Sequence, residues 1–217
     1  MGLLLRDALL SAAFFVSQAS AARRSSVVAA APPRAAAPPS AVWTAPSAFT
    51  CWDPSTRHIC LPDWTIGHGN ATFSLVCTPP KGAKLQWCGI GFNTVYPSPR
   101  AWGMAPSEII MLVPHPDGSV SLEDRAAAAP GLPPCFKKQL TTLTSAHVDP
   151  ASGALSARFS RPVFLPQELL DLGYTNLNRT VPTVAAAGWS HAQVAGVCDT
   201  TLAYHDIQYN NASIAFL

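Results

Sequence analysis

The chain has 217 residues, 48% of them apolar and only 12% charged, with 21 Pro, 13 Gly and six Cys. This composition excludes a charged disordered chain, which is poor in apolar side chains and high in net charge. The formal charge is +2, but residues 50–217 carry 10 Lys and Arg against 11 Asp and Glu, so no polyanion-binding surface is implied and nucleic acid is excluded as a partner.

Residues 1–21 have the pattern of a cleaved secretory signal: a largely apolar run from Ala8 to Val16, then small residues ending Ala19-Ser20-Ala21. The run is too short to span a membrane. The competing reading is an organelle transit peptide, favoured by Arg23, Arg24, Ser25 and Ser26. Residues 22–49 repeat Ala-Ala-Ala-Pro-Pro and read as a semi-extended linker without a core of its own.

Residues 50–217 are of a length for one domain. Short apolar or alternating runs recur in order at 71–77, 85–92, 108–113, 119–122, 140–148, 155–159, 181–187 and 207–216, each bounded by Pro, Gly, Asn or Asp. The turn Asp149-Pro150-Ala151-Ser152-Gly153 predicts a hairpin, after which Leu155, Ala157 and Phe159 alternate with Ser156, Arg158 and Ser160, giving one buried and one wet face. Pro116-Asp117-Gly118 predicts a second hairpin, and Pro79-Pro80-Lys81-Gly82 a third, pairing 73–77 with 85–92. The helical candidate is a turn near Pro166–Leu172. About eight or more strands at this spacing predict an all-β domain, an antiparallel immunoglobulin-like β-sandwich. The chain ends as the last predicted strand ends; that strand either closes the sandwich or belongs to a longer protein.

Three N-x-[ST] sequons, at Asn70, Asn178 and Asn211, are expected glycosylation sites behind such a leader. The cysteines are Cys51, Cys60, Cys77, Cys88, Cys135 and Cys198, an even set compatible with three disulfides in an oxidising compartment. The predicted third hairpin favours Cys77 with Cys88; the other pairings stay open. With no C-x-x-C or C-x-x-C-H in the chain, neither a zinc knuckle nor covalent haem attachment is expected.

Hydrolase chemistry finds no support, for there is no G-x-S-x-G elbow and no H-E-x-x-H. Asp117, Glu123 and Asp124 read as turn acids facing water. Met104 and His205 attract more interest. Met104 precedes the 108–113 strand beside Trp102, and His205 precedes the last strand. A thioether and an imidazole form an axial pair that can hold haem iron. Trp87, Phe92, Trp102 and Trp189 supply aromatic walls for a haem pocket, although such rings also belong in an ordinary sandwich core.

At these residues the sequence resembles the haem-b-binding cytochrome branch of the DOMON domains, which includes the cytochrome domain of cellobiose dehydrogenase and the DOMON part of membrane cytochrome b reductases. The matching pieces are Trp87-Cys-Gly-Ile-Gly-Phe92, Met104-Ala-Pro-Ser-Glu-Ile-Ile-Met-Leu112, Gly118-Ser-Val-Ser-Leu-Glu-Asp-Arg125, Ala157-Arg-Phe-Ser-Arg-Pro162, Val181-Pro-Thr-Val-Ala-Ala-Ala-Gly188 and Tyr204-His205. The resemblance implies a β-sandwich clasping non-covalent haem b between Met104 and His205, a one-electron carrier that is secreted or on the extracellular face of the membrane, without independent catalysis and either free-standing or a redox domain of a larger oxidoreductase. Its redox partner would be ascorbate, a flavoprotein or a membrane cytochrome. Members of the branch commonly have Gly after the Y-H pair, where this chain has Asp206. The alternative within the same resemblance is a haem-free module that binds a sugar or a partner protein at the cell surface.

Overall fold

A computed structural model describes residues 43–44, 51–93, 107–127, 133–189, 198 and 205–216. The chain divides into Met1–Ala37, which lies outside the described residues, and the compact unit Pro38–Leu217. In chain order the elements are β1 (Trp43–Thr44), β2 (Ile59–Gly67), β3 (Asn70–Cys77), β4 (Trp87–Asn93), β5 (Ser107–Pro114), β6 (Val120–Ala127), β7 (Thr142–Val148), β8 (Leu155–Pro162), the short helix α1 (Gln167–Leu170), β9 (Thr180–Gly188) and β10 (Ile207–Ala215). They form two five-stranded antiparallel sheets, ordered β1-β2-β3-β8-β7 and β10-β9-β4-β5-β6. The predicted β-sandwich is the observed architecture.

Strand alternation makes the core. Ala71, Phe73, Leu75 and Cys77 of β3 and Leu155, Ala157 and Phe159 of β8 point inward from the first sheet, while Cys88, Ile90 and Phe92 of β4 and Ile110 and Leu112 of β5 meet them from the second. Phe73 sits among Phe159, Phe92 and Phe216, with ring centroids 5.5, 5.7 and 6.0 Å away. Offset and edge contacts of this kind suit the aromatic quadrupoles.

The β7–β8 and β5–β6 hairpins form around the predicted turns. The 73–77/85–92 hairpin does not. β3 is flanked by β2 and β8 and has no free side for β4, so the Pro79–Gly82 connection carries the chain from one sheet to the other. Cys77 and Cys88 are bonded, with Cα atoms 6.4 Å apart, and the bridge ties the sheets across the core instead of joining neighbouring strands. Cys51–Cys60 and Cys135–Cys198 complete three disulfides.

Two strands escaped the sequence reading. Pro62 interrupts the run at 59–67, which demotes it as a strand by pattern, but the pairing absorbs the break as a register shift between Cys60 and Asp63. β1 lies inside the stretch read as linker and pairs with the edge of β2. β6 also runs further than expected and takes Glu123 and Asp124 into the interior, both 0% exposed. The expectation that these acids face water was therefore wrong. Asp124 accepts from the Thr141 N–H and Oγ1 and from the Leu140 N–H, partners that no local pattern reveals.

Candidate functional site

β4 reads Trp-Cys-Gly-Ile-Gly-Phe-Asn and is buried along its whole length. Cys88, Ile90 and Phe92 face the core, so Trp87, Gly89 and Gly91 face the opposite way. Pairing extends this outer face sideways: Ile109, Met111 and Val113 on β5, Val184 and Ala186 on β9, Gln208 on β10. Trp87, Ile109, Met111, Val113 and Ala186 form a buried apolar cluster of their own. A sandwich sheet commonly leaves its outer face to water, as β8 does at the exposed Ser156 and Arg158. The outer face of the second sheet is instead buried and largely apolar, with Gln208 and the Glu123–Arg125 pair set into it.

The outer face is lined by Trp87, Gly89, Gly91, Ile109, Met111 and Val184 among others, and its glycines let neighbouring residues pack close over the strand. A Cβ on Gly91 would stand 2.6 Å from Val184 Cγ2, and one on Gly188 would stand 2.5 Å from Trp87 Nε1, so the indole lies where only hydrogen leaves room. Gly91→Val is expected to destabilise the fold by about 1–3 kcal/mol through overpacking. Denaturant unfolding checks this, and an unchanged midpoint would mean that the face has slack.

The register fixes which loops flank this surface. Trp87 pairs with Gly188, and Ala187 with Ile207, so the end of β9, the start of β10 and His205 stand at the Trp87 end of the sheet. Asn93 pairs with Ser107, so the 94–106 connection, which carries Met104, is rooted at the opposite end. The segments bearing the two candidate ligands thus spring from opposite ends of one sheet.

His205 is half-buried, and burial holds its imidazole below the ordinary value, so the ring is neutral at neutral pH, the form that ligates a metal. Asp206 beside it accepts from the Trp189 N–H at 2.6 Å through Oδ2 and donates its own N–H to the Ala187 carbonyl. On β6, Glu123 is paired with Met111 and shares its face; its Oε1 accepts from the Cys198 N–H at 2.8 Å, and its Oε2 binds the Arg125 guanidinium at 2.6 Å.

Of the residues the sequence singled out, Met104 and Trp102 lie outside the described residues, as does His191. Trp87 lies on the outer face. Phe92 is on the other side of the same strand, in the aromatic core beneath the Arg161 guanidinium. Trp189 packs against the inter-sheet core, its ring 5.2 Å from that of His58. The three described aromatics therefore do not share one wall. Asn70 and Asn178 are exposed, and Asn211 falls at the irregularity in β10 between Tyr209 and Ala212. Sequence reasoning missed Gly89, Gly91, Ile109, Val184 and Ala186 as lining. The signal was present in the alternation of glycine with core residues through 87–92.

No protein-family model and no curated protein matches the chain. Among solved structures it is similar to the cytochrome b domain of pyranose dehydrogenase from Coprinopsis cinerea, with a TM-score of 0.51 and 9% identity over 77% of this chain and 81% of that one. It is also similar to the cytochrome domain of Myriococcum thermophilum cellobiose dehydrogenase, with a TM-score of 0.48 and 16% identity over 78% and 81%. At such identity, what is shared with the pyranose dehydrogenase domain is the fold.

Proposed function

We propose that this protein is a secreted one-electron carrier that holds a non-covalent haem b against the outer face of its second sheet, with Met104 and His205 as axial ligands. The observation that carries the reading is a buried, largely apolar sheet face whose two ends root the segments bearing a thioether and an imidazole. The donor chemistry suits the group: a thioether and an imidazole are an established ligand pair for iron, and Trp87, Ile109, Met111 and Val184 would offer it apolar contacts.

A haem so held supplies one-electron exchange at its iron. The protein's own residues do the rest. Trp87, Ile109, Met111 and Val184 exclude water from the face, and low polarity together with a thioether ligand favours the ferrous state. Held by Met104 and His205, the haem would have no position open to substrate, so the domain would exchange electrons with a redox partner: ascorbate, a flavoprotein or a membrane cytochrome. Among the described residues no helix is long and apolar enough to cross a membrane. Three disulfides and the sequons support an oxidising, extracellular setting.

Titrating the full chain with haemin tests the reading. Uptake of one equivalent, a Soret band, narrow visible bands on reduction and no rapid carbon monoxide binding are expected. A protein that stays colourless would be the haem-free binding module.

A further inference from the structure

Cys77 and Cys88, which form one of the three disulfides, are both 0% exposed, whereas Cys135 and Cys198 are half-buried. Beside the Cys135–Cys198 bond stands a fully buried carboxylate, Glu123 of β6. Its oxygen and the Sγ atoms of Cys135 and Cys198 all lie within 4.8 Å of one another. Among the described residues no other three His, Cys, Asp or Glu side chains bring ligating atoms so close together. Each member is held by something other than the disulfide. Cys135 is bridged to Arg125 along the edge of β6, where the Ala126 N–H donates to the Pro134 carbonyl and the Phe136 N–H to the Asp124 carbonyl, both at 2.9 Å. The Cys198 N–H donates to Glu123 Oε1 at 2.8 Å. Arg125 grips Glu123 Oε2 at 2.6 Å and donates from Nη1 to the Pro133 carbonyl at 2.7 Å. Cys198 also has a φ of 62°, a strained conformation of the kind that clusters at functional sites.

We infer that Cys135, Cys198 and Glu123 form a zinc site that the disulfide closes and reduction opens. Opening is an exchange with a thiol reductant: two small thiols give two electrons and two protons to the S–S bond, leaving Cys135 and Cys198 as thiols and themselves joined as a small disulfide. Zinc then takes both cysteines as thiolates, their two protons pass to solvent, and the Glu123 carboxylate supplies the third ligand. The spacing suits the ion, since tetrahedral zinc with bonds of about 2.3 Å to sulfur and about 2.1 Å to oxygen sets its ligand atoms roughly 3.5–4 Å apart. The charge suits it too. Two thiolates, the carboxylate and the Arg125 guanidinium leave two negative charges in excess, which a divalent cation cancels, and the guanidinium favours the thiolate form. Three protein ligands leave a fourth position, open to water on the half-buried cysteine side, so the zinc is exchangeable. The inference does not depend on the haem reading.

The test uses the full chain carrying Cys51→Ser/Cys60→Ser, which removes the other disulfide with a half-buried member. The protein is treated with a dithiol under native conditions, the dithiol is removed without air, and zinc uptake is measured by equilibrium dialysis beside the untreated protein. The reduced chain is expected to show two thiols open to alkylation, to bind one zinc and to lose that alkylation when zinc is present, while the untreated chain binds none. Cys135→Ser and Cys198→Ser should each weaken zinc binding by at least the 10–100-fold that loss of a mere outer support costs. Glu123→Gln combined with Arg125→Met, a pair that strands no buried charge, should keep both thiols and weaken zinc binding on the order of tenfold or more. A bond that the dithiol opens only as the protein unfolds, or a folded protein with two free thiols and no zinc, overturns the site. So does zinc held equally well by the untreated chain, by either serine variant or by the Glu123 double variant.

Discussion

Replacing His205 by alanine is expected to abolish the six-coordinate low-spin spectrum of the haem-loaded protein and to weaken haem uptake by about 10–100-fold or more. The expectation follows from what surrounds the other histidines. His58 Nδ1 is 2.7 Å from the Thr78 carbonyl, and its ring lies against Trp189 on the core side. His115 Nε2 is engaged with Ser121 Oγ at 3.0 Å. His68 occupies the β2–β3 turn, and His147 lies on β7 in the other sheet. None of these follows the long segment that returns to β10. Met104→His makes the complementary case: haem should stay bound while its potential falls, because an imidazole replaces a thioether that favours ferrous iron. Optical spectra and a redox titration of each variant check both results. A spectrum from His205→Ala identical to that of the unaltered protein would exclude His205 and turn attention to His191.

How far the site was legible depends on which physical rule each residue obeys. Strands with one wet face declare themselves, as β8 does through Leu155, Ala157 and Phe159 set against Ser156, Arg158 and Ser160. β4 and β5 are buried on both faces, and their near-continuous apolar runs give no alternation of apolar with polar residues to read. Aromatic content pointed to Trp87, Phe92 and Trp189 together, but strand parity sends Trp87 to one face and Phe92 to the other. Glu123 and Asp124 were misread because acids near a turn are commonly solvated; here partners 75 and 17 residues away satisfy them. Cys77–Cys88 was anticipated through a hairpin that does not exist. The two residues meet because the sheets pack face to face.

Glu108 shows the same difficulty with larger energetic stakes. In the sequence it is the acid four residues after Met104; in the fold it is fully buried at the start of β5, paired with Arg161 of the opposite sheet. Arg161 Nη1 donates to Glu108 Oε1, its Nη2 donates to the Thr175 carbonyl at 2.6 Å, and the Thr175 N–H returns to Glu108 Oε2 at 2.8 Å. This ring of contacts ties both sheets to the irregular chain ahead of β9, at the end where the Met104 segment joins β5. Burial pushes the Glu108 carboxyl above the usual carboxylate range, against the pull of the guanidinium.

Arg161→Ala removes that pull and leaves a carboxyl in the interior with one donor, so a loss of about 3–5 kcal/mol is expected. For a domain of this size that lowers Tm by on the order of 10 °C. Without Arg161 the folded Glu108 binds its proton far more tightly than the unfolded chain does. The deficit should therefore be smallest below the unfolded carboxylate value of about 4.3 and should grow as pH rises above it. Glu108→Leu combined with Arg161→Met should cost less than Arg161→Ala alone, since neither charge then has to be desolvated. Thermal unfolding of the three proteins at pH 4 and pH 7 measures all of this. A deficit that does not change with pH would show that lost packing over Phe92, rather than the stranded carboxyl, is what Arg161→Ala removes.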